Sequence, residues 1–221
     1  MDIALLGGTG DIGEGLALRW AADTDHGVVV GSREAGRARE KADEYEAELA
    51  SRGVERPVGA ATNAGAAAQG DVIVLAVPPY HVRNVVEDIA DAVADDDILV
   101  NPAVGISRDD TGFNYDKPSI GSVTELVADA APDADRVVGA YHNLPAARLA
   151  DLDDGLGMDT LLVGDDDAKE TVATLTEEIE GLGALDAGPI ENASEIEALT
   201  PLLLTLKQYN EELRDVGVRF A

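Results

Sequence analysis

Gly8, Gly10 and Gly13 fall at the G-x-G-x-x-G spacing directly after a short apolar run, Ile3 to Leu6. That spacing suits a dinucleotide pyrophosphate: the first glycine permits a tight turn, the second admits the phosphates close to backbone, and the third lets a helix pack on the strand. The N–H groups at the start of that helix then face the anion. A second apolar run, Val28 to Val30, ends in Gly31-Ser32-Arg33. NAD-specific sheets carry Asp or Glu at this point, where it binds the ribose hydroxyls. A hydroxyl and a guanidinium bind a 2′-phosphate instead, and Arg37, one helical turn on, adds a second cation, so the pattern favours NADP. The competing use of Arg33 and Arg37 is surface pairing with acids such as Glu34 and Glu40. Other reactive side chains are sparse. The chain has no cysteine, and its three histidines, His26, His81 and His142, are scattered without an H-x-x-x-H pair. Neither a metal site nor thiol chemistry is expected.

Positioning those residues takes alternating strands and helices. Met1 to Gly15 reads as a strand, a glycine turn and a helix start, with Ile12, Leu16, Ala17 and Trp20 on the apolar face. A long charged helix is expected over Glu34 to Ser51, then a weak strand near Arg56 to Ala60 and a short helix near Ala64 to Ala68. Asp71 to Val77 is a continuous apolar run stopped by Pro78-Pro79, the mark of a strand buried on both faces, hence parallel and central. A helix over Tyr80 to Ala94, a strand over Ile98 to Asn101 and a long loop over Pro102 to Pro118 follow. Next come a helix from Ser122 to Ala130, a strand from Arg136 to Tyr141 and a polar connection from His142 to Arg148. One more strand–helix–strand unit spans Thr160 to Ala187, and a last helix, interrupted near Pro201, spans Ser194 to Leu213. The alternation predicts an α/β fold: a doubly wound, mostly parallel Rossmann-type sheet with a small C-terminal helical part. Residues 1–188 are expected as the dinucleotide-binding domain and 189–221 as the C-terminal helical segment.

Composition narrows the partners. Acidic residues number 44 against 16 basic ones, for a formal charge of −28, which argues against nucleic acid or an anionic membrane. Any anionic ligand must find a local basic pocket. The acids are spread along the chain, and lysine occurs only at Lys41, Lys117, Lys169 and Lys207. Such a pattern suits a protein of a salt-saturated cytoplasm, where molar salt screens self-repulsion. No apolar run approaches the ~18 residues needed to span a bilayer, and no basic leader precedes the first strand, so a cytoplasmic protein is expected.

Several further stretches are more specific than the glycine turn. Leu5-Leu6-Gly7-Gly8-Thr9-Gly10 running on to Gly13 and Gly15-Leu16-Ala17, the strand end Val30-Gly31-Ser32-Arg33, Val77-Pro78, and His142-x-x-Pro145-Ala146-Ala147-Arg148 occur in one chain. With Asp186-Ala187-Gly188-Pro189 and Leu199-Thr200-Pro201-Leu202, they make it resemble the archaeal coenzyme F420-dependent NADP reductases nearly end to end. That resemblance implies reversible hydride transfer between NADPH and the deazaflavin coenzyme F420, in a homodimer, with the C-terminal segment closing the deazaflavin cleft. It implies that Thr9, Gly10 and Ile12 meet the pyrophosphate, that Ser32, Arg33 and Arg37 take the 2′-phosphate, and that Val77 and Pro78 line the nicotinamide side. It further implies that His142, Pro145, Ala146 and Thr200 lie near the deazaflavin, His142 and Thr200 as the catalytic pair. Asn143 stands where the family more often has Thr, and Ser194-Glu195 where some members carry a basic residue, so the grip on the coenzyme's anionic tail is left open. Two other uses of the same frame compete: an NADP-dependent imine or hydroxyacid reductase, with His142 as proton donor, and a non-catalytic NADP-sensing domain.

Overall fold

The computed structural model of the chain describes residues 1–131 and 134–221. In chain order its first half runs β1 (Asp2–Leu6), α1 (Asp11–Asp23), β2 (Gly27–Ser32), α2 (Ala35–Ser51), β3 (Gly59–Thr62), α3 (Asn63–Ala67), β4 (Val72–Leu75), α4 (Val82–Ile89) and β5 (Ile98–Asn101). The second half runs β6 (Ile106–Asp109), β7 (Gly112–Tyr115), α5 (Val123–Ala130), β8 (Val137–Gly139), α6 (Ala146–Ala150), β9 (Met158–Gly164), α7 (Asp166–Glu177), β10 (Leu182–Asp186) and α8 (Ala193–Tyr209). Eight of these strands form one sheet in the order β3-β2-β1-β4-β5-β8-β9-β10. Alternation along β1 assigns its two faces. Ile3 and Leu5 pack with Leu16 and Trp20 of α1 and Leu175 of α7, while Ala4 and Leu6 pack with Ala66 of α3, Val86 of α4 and Val127 of α5. Helices therefore cover both faces, as the continuous apolar runs of β1 and β4 require.

The sheet is parallel from β3 through β8, and the sequence reverses its winding between β1 and β4. There the loops after the two strands diverge and leave a crevice at their carboxyl ends. β9 runs antiparallel to β8, with Val138 opposite Gly164 and Gly139 opposite Val163. The connection between these strands holds only α6, which packs on α1 at the carboxyl edge instead of crossing a face, so the chain returns in the opposite sense. β10 is parallel to β9 across α7.

Four local expectations need correction. The supposed loop from Pro102 to Pro118 holds the hairpin of β6 and β7, closed by Asp109, whose Oδ1 accepts from the N–H and hydroxyl of Thr111 at 2.7 and 2.6 Å. It packs on α8 and not on the sheet, where the Thr205 hydroxyl accepts from Phe113 N–H at 3.0 Å and donates to its carbonyl at 3.2 Å. The connection from His142 to Arg148 contains the start of α6, whose carbonyl ends are gathered by the buried Arg19 guanidinium: Nε donates to Leu149 and Nη2 to Arg148, both at 3.0 Å. The expected helix over Tyr80 to Ala94 is α4 alone with a 3-10 turn at each end. Finally α8 runs unbroken through the buried Pro201. That proline removes one N–H from the ladder, and anchors on either side of it, Glu197 and Thr205, hold both halves of the helix against α5 and β7.

Candidate functional site

The glycine-turn end of the crevice is built at the carboxyl edge of β1 and β2. Gly7, not Gly8, carries the left-handed conformation, φ +71°, and an added Cβ there would lie 2.6 Å from the Ala76 carbonyl oxygen. Gly13 lets α1 close on the turn: a Cβ there would lie 2.6 Å from Gly8 Cα. Gly8 is buried, Thr9 half-buried and Gly10 exposed, so the turn presents backbone outward. Tyr45 of α2 holds it from beneath, its hydroxyl donating to the Gly8 carbonyl at 2.7 Å. Gly10 caps α1 without any side-chain bond, so the N–H groups of Asp11, Ile12 and Gly13 remain for an anion.

Ser32 is buried at the end of β2, with Arg33 and Arg37 exposed beside it. Among the described residues neither guanidinium makes an ion pair, so pairing with Glu34 and Glu40 is absent. Ser32 and Arg33 line a cleft of about 220 Å³ together with Thr62, Asn63, Val85 and Ile89. Asn63 Oδ1 is buried there and has no hydrogen-bond partner among the described residues. An acceptor left this way is costly unless a ligand completes it. Val77 lies against Gly7, its N–H bonded to the Leu75 carbonyl at 2.8 Å, and Pro78 stands exposed next to it on the rim of the crevice.

A second cleft, of about 190 Å³, opens where β8 ends. His142, Pro145, Ala146 and Ala147 form one wall, and Thr200 and Leu203 of α8 the other. Backbone geometry places the first wall: Tyr141 adopts a left-handed φ of 66°, rare for a bulky residue, and turns the chain sharply after β8. Its ring anchors that conformation, edge-on to Trp20 and with its hydroxyl 2.9 Å from Thr176 Oγ1. The Thr200 hydroxyl donates to the His142 carbonyl at 2.7 Å and ties the two walls together. Pro145 then opens α6, which lies against α1 and so joins this cleft to the helix that starts at the glycine turn.

The His142 ring is buried behind the wall, only 4% of the residue being exposed. Its Nε2 lies 3.5 Å from Asn101 Nδ2, and Asn101 Oδ1 accepts from Ala103 N–H at 3.2 Å, which fixes which way the amide points. Asn101 also donates to Thr124 Oγ1 at 3.0 Å, and that hydroxyl donates to the buried Glu197 carboxylate at 3.0 Å. His142 Nδ1 has no hydrogen-bond partner among the described residues. Burial pushes the imidazole down to about 3, so it is neutral at ordinary pH and is not the strongly acidic imidazolium. Glu197 accepts from the N–H groups of Val123 and Thr124 at 3.0 and 2.9 Å and from the Tyr115 hydroxyl at 2.7 Å, capping α5 from α8. Desolvation raises its pKa.

The structure thus gathers Gly8, Thr9, Gly10, Ile12, Gly13, Ser32 and Arg33 at one end of the crevice, with Val77 and Pro78 on its rim, and leaves Arg37 exposed on the first turn of α2. His142, Thr200, Pro145 and Ala146 meet in the second cleft. Arg148, which belonged to the motif, turns away and holds the segment after α6, its Nε donating to Asp154 Oδ2 at 2.6 Å. Asn63, Asn101 and Glu197 escaped sequence reasoning. An asparagine closing the apolar run Ile98 to Val100 was the one available signal. Among the described residues no cluster of His, Cys, Asp or Glu is arranged to hold a metal ion, and no helix is long and apolar enough to cross a membrane.

Comparisons with known proteins agree with this geometry. A family model described as "NADP oxidoreductase coenzyme F420-dependent" matches residues 2–105. The F420-dependent NADP reductase of Methanothermobacter thermautotrophicus is 37% identical over 99% of this chain and 94% of its own length. That of Methanocaldococcus jannaschii is 36% identical over 93% of this chain and 92% of its own. Among solved structures, a candidate F420-dependent NADP reductase from Arthrobacter superposes with a TM-score of 0.80 at 24% identity, covering 100% of this chain and 99% of that one. An imine reductase of Streptomyces aurantiacus shares the fold at a TM-score of 0.60 and 20% identity, over 95% of this chain but 61% of its own. With more than a third of its residues shared with relatives over nearly its whole length, the chain belongs to the F420-dependent NADP reductase family.

Proposed function

We propose that the protein moves a hydride reversibly between NADPH and the deazaflavin coenzyme F420. The observation that carries this reading is the second cleft. Its walls are mostly small or apolar, it adjoins the crevice of the glycine turn through α6 and α1, and its histidine is held neutral by burial. Direct carbon-to-carbon hydride transfer between a nicotinamide and a deazaflavin needs two rings held at reacting distance and no obligatory proton donor. The uncapped start of α1, with Thr9, Gly10 and Ile12, takes the pyrophosphate, while Ser32, Arg33 and Arg37 take the 2′-phosphate. Val77 and Pro78 bound the nicotinamide side. His142 and Thr200 fix the second wall through the Thr200 hydroxyl and the His142 carbonyl, and Pro145 and Ala146 let a flat ring approach backbone. In this reading residues 1–188 are the NADP-binding unit, and residues 189–221 close the deazaflavin cleft.

An imine or hydroxyacid reductase is less well supported, because the neutral, buried His142 is not the imidazolium that general-acid protonation of a substrate would draw on. The acidic surface supports a halophilic, cytoplasmic setting. Leu202, Leu206 and Tyr209 lie exposed along one face of α8, which supports a homodimer. One spectrum tests the central claim: the deazaflavin's visible band should bleach when NADPH is added with catalytic amounts of protein. A protein that binds NADPH but leaves the band unchanged is a sensor, and the proposal is then wrong.

A further inference from the structure

We propose that Lys207 reads the anionic tether of the deazaflavin, and that Asp215 occupies its ammonium group until the coenzyme arrives. This rests on the reading of the second cleft given above. Lys207 is the one cation lining that cleft among the described residues. Thr200, Leu203 and Lys207 follow one face of α8 at spacings of three and four. Lys207 therefore sits about 10 Å along the helix from Thr200, at 1.5 Å per residue. A ring seated against Thr200 would carry its tether toward Lys207. Lys207 is the only cation along this wall among the described residues, and the net charge of −28 gives an anion little general attraction to the rest of the surface around it.

Asp215 reaches the same cleft from the segment after α8. That segment folds back along the start of β9, where Asp159 N–H donates to the Val218 carbonyl at 2.8 Å and Asp159 Oδ2 accepts from Phe220 N–H at 2.7 Å. Asp215 Oδ1 then lies 3.2 Å from Lys207 Nζ, and the lysine side chain is 48% exposed. An exposed pair held by a flexible lysine is weak, and its partner can be exchanged for a phosphodiester or carboxylate at little cost. The return segment thus holds the cleft's cation in place without closing the cleft to an anion.

The test compares two probes, the deazaflavin with its anionic tether and the deazaflavin riboside without it, by quenching of deazaflavin fluorescence and by bleaching with NADPH. In Lys207→Met the ratio of Kd for tethered over tetherless coenzyme should rise about tenfold. In Asp215→Asn, which frees the lysine, the same ratio should fall, and Lys207→Arg should restore the wild-type ratio. Ratios unchanged in both Lys207→Met and Asp215→Asn, with the wild type bleaching both probes, would overturn the role of Lys207 alone. A wild type that binds and bleaches neither probe would overturn the deazaflavin reading and the role of Lys207 with it.

Discussion

Among the described residues, Arg33 and Arg37 stand without a carboxylate partner near Ser32, in a chain that carries 44 acids. Two unpaired cations in such surroundings have been kept from the pairing that acidic neighbours make easy, and in the proposed function a 2′-phosphate is their partner. Replacing Arg33 by Ala should raise KM for NADPH ~10- to 100-fold, the weight of one or two charge-assisted bonds, with little effect on NADH. Steady-state kinetics with both nucleotides decides it, since equal losses would mark Arg33 as structural. His142 makes a different demand. Its ordinary value of 6.5 lies above the folded value of about 3, so the unfolded chain takes up the proton first as pH falls. Stability from this group is complete above about pH 6.5 and is lost progressively toward pH 3, about 2 kcal/mol being gone at pH 5. Chemical denaturation at pH 7.5 and pH 5 should show that loss in the wild type and lack it in His142→Asn. Turnover in His142→Ala should fall ~10-fold, short of the ~10²–10⁴ expected of a general acid.

At the scale of elements, α8 is tied to the rest of the protein by polar bonds more than by its apolar face. Glu197 caps α5 from outside and holds Tyr115 of the hairpin, so one carboxylate joins three elements. Glu197→Gln keeps an oxygen for Thr124 but sets an amide nitrogen against Val123 N–H and the Tyr115 hydroxyl. The buried Val123 N–H loses its acceptor, the Tyr115 hydroxyl must turn to accept instead, and the bonds from Thr124 lose their charge assistance, so the loss should be about 2–4 kcal/mol. Thermal unfolding should come roughly 5–15 °C earlier. A Tm within a degree of the wild type would show that the cap contributes nothing. The same bonds explain why Pro201 does not break the helix.

For the whole molecule, −28 charges on 23.0 kDa set the conditions under which any of these bonds can form. Repulsion among exposed acids is strong when the screening length is ~30 Å, at 0.01 M salt, and weak when it is ~3 Å, at 1 M. Dialysis into dilute buffer should therefore unfold or inactivate the protein, and molar salt should restore it. Circular dichroism and NADPH-dependent bleaching measured across that range check this, and full activity in dilute buffer would refute it.

What the sequence determined by itself is what neighbouring residues decide. The glycine turn was legible because turn, uncapped helix start and packing all lie within Gly7 to Gly13. β5 was placed at its actual bounds, Ile98–Asn101, because a run buried on both faces announces itself in composition. The tertiary structure alone decided the direction of β9, the hairpin on α8, the left-handed Tyr141 and the network from Glu197 to His142. These join positions far apart: Glu197 meets Val123 across 74 residues and Asn101 meets His142 across 41. Such contacts leave no period in either partner's neighbourhood, since each side chain answers to an element brought to it by folding and not to the residues beside it.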